Sequence, residues 1–89
     1  MNLEFKKSFA RDLKRKKHEK QFLERVKQVI QELDDAENIL EIKNLKKLGA
    51  EGNYYRIRIG DYRIGLIIEN DNVCFVRALH RNEIYRYFP

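Results

Sequence analysis

Apolar positions follow two different periods along this chain, and the change from one to the other divides it. In the first half, Phe22, Val26, Val29, Ile30 and Leu33 recur at helical spacing within EKQFLERVKQVIQELDDA, which predicts an amphipathic helix of about four to five turns. Upstream, Ser8 is a suitable N-cap for a helix from Phe9 to about Lys17. Residues 2–6 (NLEFK) alternate, with Leu3 and Phe5 on one side, and predict a short first strand. In the second half, YYRIRIGDYRIGLIIENDNVCFVRALH alternates with period two and reads as three strands. Gly60-Asp61 is a two-residue hairpin turn, glycine supplying the positive φ, and Asn70-Asp71 marks the next turn. The segment ENILEIKNLKKL joins the halves, with Ile39, Leu40, Ile42, Leu45 and Leu48 as anchors; its structure stays open between a helical turn and an irregular connection. RNEIYRYFP predicts a turn or short helix that packs back through Ile84 and Phe88. The expected fold class is α+β: an N-terminal strand, a two-helix antiparallel hairpin, then a three-stranded antiparallel meander, forming one sheet packed on the helices. A chain of 89 residues is expected to make one domain over 1–89.

The Gly60-Asp61 turn sets the pairing on both sides of it. A two-residue loop places Ile59 opposite Tyr62, Ile57 opposite Ile64 and Tyr55 opposite Leu66, a coherent core face. The other face then sets Arg58 against Arg63 and Arg56 against Gly65. Like charges directly opposed across a ladder destabilise a sheet. A site that holds a phosphodiester tolerates them, because the anion cancels the repulsion. Carrying an unbroken register into the last strand puts 68 opposite 73 and 63 opposite 78. Cys74, Val76, Ala78 and His80 then share the arginine face, with His80 beside Arg63 and with Gly65 and Ala78 leaving room for a ligand. That register also sends Arg77 to the core face, where it has to snorkel at the sheet margin.

Charge sharpens this reading. The net charge is +5 and the pI about 9.4, which favours a polyanionic partner. All ten lysines lie between Lys6 and Lys47, whereas residues 49–89 hold six arginines and no lysine. Lysine suits a solvated helix face, and arginine's planar fork matches phosphate at two points. The first half therefore reads as scaffold and the second as contact surface.

Plainer readings stand beside these. Arg56 and Arg58 also fit the solvent face of an edge hairpin, and His80 a hydrogen-bonded residue at a strand end. Tyr85 and Tyr87 also fit packing roles, and Arg86 and the Lys14–Lys17 run fit solvated surface charge. Cys74 lies in an apolar run and reads as a small buried hydrophobe. His18 and His80 are isolated and the cysteine has no partner, so no metal site is expected. No glycine loop for phosphate and no cofactor motif is present, and the one serine leaves no hydrolase triad. The N-terminus lacks an apolar signal region and no stretch approaches 18 apolar residues, so neither export nor a membrane span is expected, and the expected compartment is the cytoplasm.

The segment GNYYRIRIGDYRIGLII, followed by LHRNEIYRYF, resembles the RelE/ParE superfamily of toxins from bacterial toxin–antitoxin pairs. The carrying features are Y-x-I-x-I-G-D-Y-R and H-R-x-E-I-Y, and the β-α-α-β-β-β order agrees along nearly the whole chain. The resemblance implies a cognate antitoxin that is acidic where it meets the arginine face or displaces the C-terminal segment. In the RelE branch it implies a ribosome-dependent endoribonuclease that cuts mRNA. The branch's working residues fall on Arg56 and Arg58, Arg63, Arg81 and Tyr85. The best-known members carry lysines at the positions of Arg56 and Arg58. Other family nucleases use histidine, which adds His80 as a candidate acid or base. The expected chemistry is transesterification by the ribose 2′-OH without a metal. The alternatives are a ParE-like poison of DNA gyrase and a non-catalytic RNA- or protein-binding module.

Overall fold

The computed structural model describes residues 1–89. Strand β1 (Asn2–Phe5) leads into α1 (Lys7–Arg15) and α2 (Lys20–Asp35). A single 3-10 turn at Ile39–Glu41 and a strand β2 (Leu45–Lys47) follow. Strands β3 (Tyr54–Ile59), β4 (Tyr62–Glu69) and β5 (Asn72–His80) form the meander, and α3 (Ile84–Tyr87) closes the fold. The sheet has five strands in the order β1-β5-β4-β3-β2. The α+β class and the meander are as expected, but the expected strand set is one short. The linking segment holds a real edge strand, Leu45 to Lys47, paired antiparallel with Ile57 to Tyr55. It escapes period-two reading because three residues are too few to show alternation.

The helices cover one face of the sheet. Phe9 of α1 and Phe22, Val26 and Leu33 of α2 are buried against Ile57, Ile59, Ile64, Leu66, Ile68, Val73, Phe75 and Ala78. The predicted stripe thus lies inward, with Val29 and Ile30 at its half-buried margin. Helix α1 starts earlier than predicted, and Ser8 is no cap. Lys6 occupies the N-cap position without a side-chain bond. Ser8 Oγ instead donates to the Val76 carbonyl at 2.6 Å. β1 runs parallel to β5 only as far as Phe5–Phe75, and α1 continues along the same edge, its side chains taking up β5 groups that have lost a strand partner.

The turns match expectation, Gly60 (φ 57°) and Asn70 (φ 55°) supplying the left-handed positions. The register of β3 on β4 also matches, residue for residue. Between β4 and β5 it does not. Ile68 does face Val73, but the register shifts at Gly65/Leu66, which face Arg77 and Phe75. Val76 is the extra residue of a β-bulge, and every side chain beyond it changes face. Arg63 therefore pairs with Leu79, not with residue 78. Arg77 leaves the core face and Ala78 enters the core.

Across the sheet from the helices lies a second, smaller core. Leu79, Ile84 and Phe88 are buried there, with Leu48 and Val76 packed against them. The C-terminal segment packs back as predicted, and Phe88 seats on Gly65. A Cβ at Gly65 would stand 2.7 Å from the Phe88 ring. The room expected at Gly65 is thus filled from within.

Candidate functional site

The β3–β4 hairpin places Arg58 and Arg63 as direct partners across the ladder, with Arg56 opposite Gly65. By alternation all three side chains lie on the face away from α1 and α2, since Ile57 and Ile64 between them are core. Arg63 is half-buried and fastened to the turn that precedes it. Its Nη1 donates to the Gly60 carbonyl at 2.8 Å and to the Tyr62 carbonyl at 2.9 Å. Arg56 Nη1 donates to the Asn44 carbonyl at 3.1 Å, while its Nε is buried without a partner. The same carbonyl receives the Arg58 backbone N–H at 3.3 Å. Asn44 sits at φ 64°, a conformation asparagine tolerates better than most residues, at the entry to β2.

The guanidinium groups are close enough to feel one another. Burial holds the Arg63 pKa below the usual arginine value, and the charges of Arg56 and Arg58 press it further down. Tyr85 acts in the opposite sense and Arg81 in the same sense as the other arginines. Arginine stays charged through such a shift, so the cost appears as stored repulsion rather than deprotonation. No carboxylate relieves it. The ion pairs of the structure are Lys27 with Glu24 and Arg77 with Asp12. Arg56, Arg58, Arg63 and Arg81 are absent from both. Arg81 is exposed just beyond β5, its N–H bound to the Asp61 carbonyl at 2.8 Å. Tyr85 projects from α3 with 61% of its surface exposed. Of the other five residues singled out in the sequence, four, Arg56, Arg58, Arg81 and Tyr85, therefore lie close enough to Arg63 to shift its pKa.

His80 does not. The bulge turns it to the helix face as the partner of Tyr62, whose ring it meets edge-on at 5.7 Å. Tyr62 in turn packs on Phe22 of α2 at 4.4 Å, which fixes the side of the sheet. His80 Nδ1 accepts from the Asn82 N–H at 3.2 Å, a hydrogen-bonded histidine at a strand end. The expected place beside Arg63 is corrected, and so is the place of Ala78.

The sequence offered one sign of this bulge: an unbroken register required an arginine in the core. Lys46 was missed altogether. It is the Cα partner of Arg56 and so shares its face, and only the β2–β3 pairing brings it there. A cavity of about 360 Å³ lies elsewhere, on the helix side between the α2 N-terminus and the Gly60 turn, and none of the gathered arginines lines it. Burial pushes the Cys74 thiol pKa up, in keeping with an unreactive side chain. No three His, Cys, Asp or Glu side chains converge as metal ligands, and no helix is long and apolar enough to cross a membrane.

Fold and face together define a small α+β protein with helices on one side of its sheet and unneutralised arginines on the other. Comparison with known proteins gives the family. The model of the ParE toxin of type II toxin–antitoxin systems, parDE, matches residues 3–85. The chain is 40% identical over 90 residues to Toxin RelE3 of Methanocaldococcus jannaschii, covering 100% of both. It aligns at 41% identity and a TM-score of 0.78 with a chain of the RelB-RelE antitoxin–toxin complex from Methanococcus jannaschii, covering 97% of this chain and 99% of that one. YafQ from E. coli strain BL21(DE3) shares the fold at a TM-score of 0.75 and 13% identity, covering 94% and 97%. The chain belongs to the ParE toxin family and is a toxin of the type II toxin–antitoxin class.

Proposed function

We propose that this toxin is a ribosome-dependent mRNA endoribonuclease that works in the cytoplasm as one domain and is held in check by a cognate antitoxin. The observation that carries this reading is the Arg58–Arg63 opposition on the sheet face away from the helices, with Arg56 alongside and no carboxylate to neutralise any of them. Repulsion of this kind costs stability in the free protein and is relieved by a bound phosphate. The likeness to Toxin RelE3 over the full length supports it.

In the reaction, the ribose 2′-oxygen attacks the adjacent phosphorus and the bond from phosphorus to the 5′-oxygen breaks. The products are a 2′,3′-cyclic phosphate and a 5′-hydroxyl. Arg56, Arg58 and Arg63 offset the charge that builds on the phosphoryl oxygens. Arg81 holds the leaving 5′-oxygen, and Tyr85 stacks on a base and relays the proton of the attacking 2′-hydroxyl to that oxygen. Arginine is a poor general base because its guanidinium remains charged. His80 has no part in this arrangement, since it faces the helices.

The test is the fate of message in a translating extract given wild-type protein or Arg63→Ala. Wild type is expected to leave fragments ending in a 2′,3′-cyclic phosphate, and the variant on the order of 10²-fold fewer. Growth arrest with intact message would overturn the nuclease reading. A second reading, a ParE-like poison of gyrase, draws on the family model that matches the chain. It predicts plasmid broken in the presence of gyrase and no RNA products.

A further inference from the structure

Resting on the nuclease reading, we infer that Lys46 is a further binding residue of this site, holding the phosphate next to the one clamped by Arg58 and Arg63. The substrate is then an extended single strand of RNA gripped at two successive phosphates. Lys46 lies directly across from Arg56, so β2, β3 and β4 carry two like-charged pairs on one face, Lys46–Arg56 and Arg58–Arg63. Each opposition disfavours the free sheet, and two side by side are hard to explain by folding alone. Lys46 is exposed and takes no part in an ion pair or side-chain hydrogen bond.

The geometry also separates the two positions. The Asn44 carbonyl draws the Arg56 fork toward the end of β2 that faces Arg58. Arg56 thereby joins the Arg58–Arg63 cluster, and Lys46 is left one step along the sheet. Lys46 is set off from Arg58 by two residues along the strands, about 6.6–6.8 Å, and by one strand across, about 4.7–4.9 Å, a diagonal of about 8 Å that its long side chain can close to the separation of neighbouring phosphates on an extended nucleic-acid strand. Lysine suits this outer role, because a mobile point charge accepts a phosphate whose exact placement is not set by the chemistry.

The adjacent residue supplies a matched control. Lys47 pairs with Tyr55, which packs into the helix-side core, so Lys47 belongs to the opposite face of the same strand. Both lysines are exposed, and glutamine at either should leave the fold intact. The probe is a single-stranded hexanucleotide with 2′-O-methyl riboses, which lacks the attacking hydroxyl and is bound without being cut. Its affinity is followed by fluorescence anisotropy over a salt series.

Each phosphate contact on a single strand contributes a slope of about −0.7 in log affinity against log salt. Lys46→Gln is expected to make the slope shallower by about 0.7, Lys46→Arg to keep it, and Lys47→Gln to leave it unchanged. Equal behaviour of Lys46→Gln and Lys47→Gln, alongside weakened binding by Arg63→Ala, overturns the role of Lys46 and leaves the nuclease reading standing. An unchanged RNA slope with weakened binding of a polyglutamate peptide assigns Lys46 to a protein partner and also overturns it. Failure of the wild-type protein to bind the probe at low salt overturns the role of Lys46 as a phosphate contact on free RNA, while the nuclease reading stands or falls on cleavage of message in the translating extract.

Discussion

Arg77 and Asp12 meet at two points, Nε donating to Oδ2 at 2.8 Å and Nη2 to Oδ1 at 3.1 Å. Asp12 is 2% exposed and also accepts the Ala78 N–H at 2.9 Å, so three donors converge on one carboxylate. The contact follows from the bulge. Past Val76 the strand edge has no β1 partner, and Asp12 takes the N–H that this leaves open. The Asp12 hydrogen bond is the chief reason the Arg77 pKa is raised. The guanidinium lies 5.5 Å from the Tyr87 ring, linking α1 and β5 to the C-terminal helix.

Asp12→Ala should therefore be among the most damaging single changes in the molecule. Removing one partner of a buried pair costs about 3–5 kcal/mol, and the lower end applies because Arg77 keeps some access to water. Chemical denaturation should show the loss, with Asp12→Asn intermediate because it keeps an acceptor for Ala78. A change within error of zero would mean the pair contributes nothing to the fold.

Gly65→Ala tests the seating of the C-terminal segment. The added methyl meets the Phe88 ring at 2.7 Å, although Gly65 has an ordinary negative φ, so the conflict is steric and not conformational. Overpacking of this sort costs about 1–3 kcal/mol. Combining it with Phe88→Ala should relieve the clash, so the double variant loses less than the two single losses added. Strict additivity would contradict the contact.

Alkaline pH should report on Tyr62. Its hydroxyl donates to Glu19 Oε1 at 2.6 Å, and that bond, followed by burial and the charges of Glu19 and Asp61, raises its pKa. The folded state thus favours the protonated phenol. The stabilisation is complete below the unfolded-state value and is lost as pH rises through the folded one. Wild type should lose stability in that alkaline window, and Tyr62→Phe should start lower and fall less steeply. Urea unfolding at several alkaline pH values would reveal it, and parallel curves would rule it out.

Two substitutions on opposite faces of the sheet separate the arginine cluster from the histidine. Arg63→Lys should recover only part of the cleavage lost in Arg63→Ala, because an ammonium lacks the fork held by the Gly60 and Tyr62 carbonyls. His80→Gln should cleave message at close to the wild-type rate. A collapse of activity in His80→Gln with the fold intact would return the imidazole to the chemistry.

Much of the arginine face was legible in the sequence. The Gly60-Asp61 turn propagates a two-residue period outward, and that alone sets Arg58 against Arg63 and Arg56 against Gly65. The inward stripe of α2 was equally plain, because 3.6-residue spacing admits one apolar face. His80 and Ala78 were misplaced for a single reason: period-two reasoning holds only while every residue has a partner. One extra residue at Val76 inverts everything that follows it.

The sequence by itself determined the α+β class, the β3–β4 register and the family, because each rests on local spacing or on a contiguous motif. Tertiary structure alone decided where β1 stops against β5, that Asp12 takes up the edge it leaves, and that β2 pairs to bring Lys46 beside Arg56. Those outcomes depend on which distant backbone groups are left without partners once the core has closed, and no local pattern records that competition.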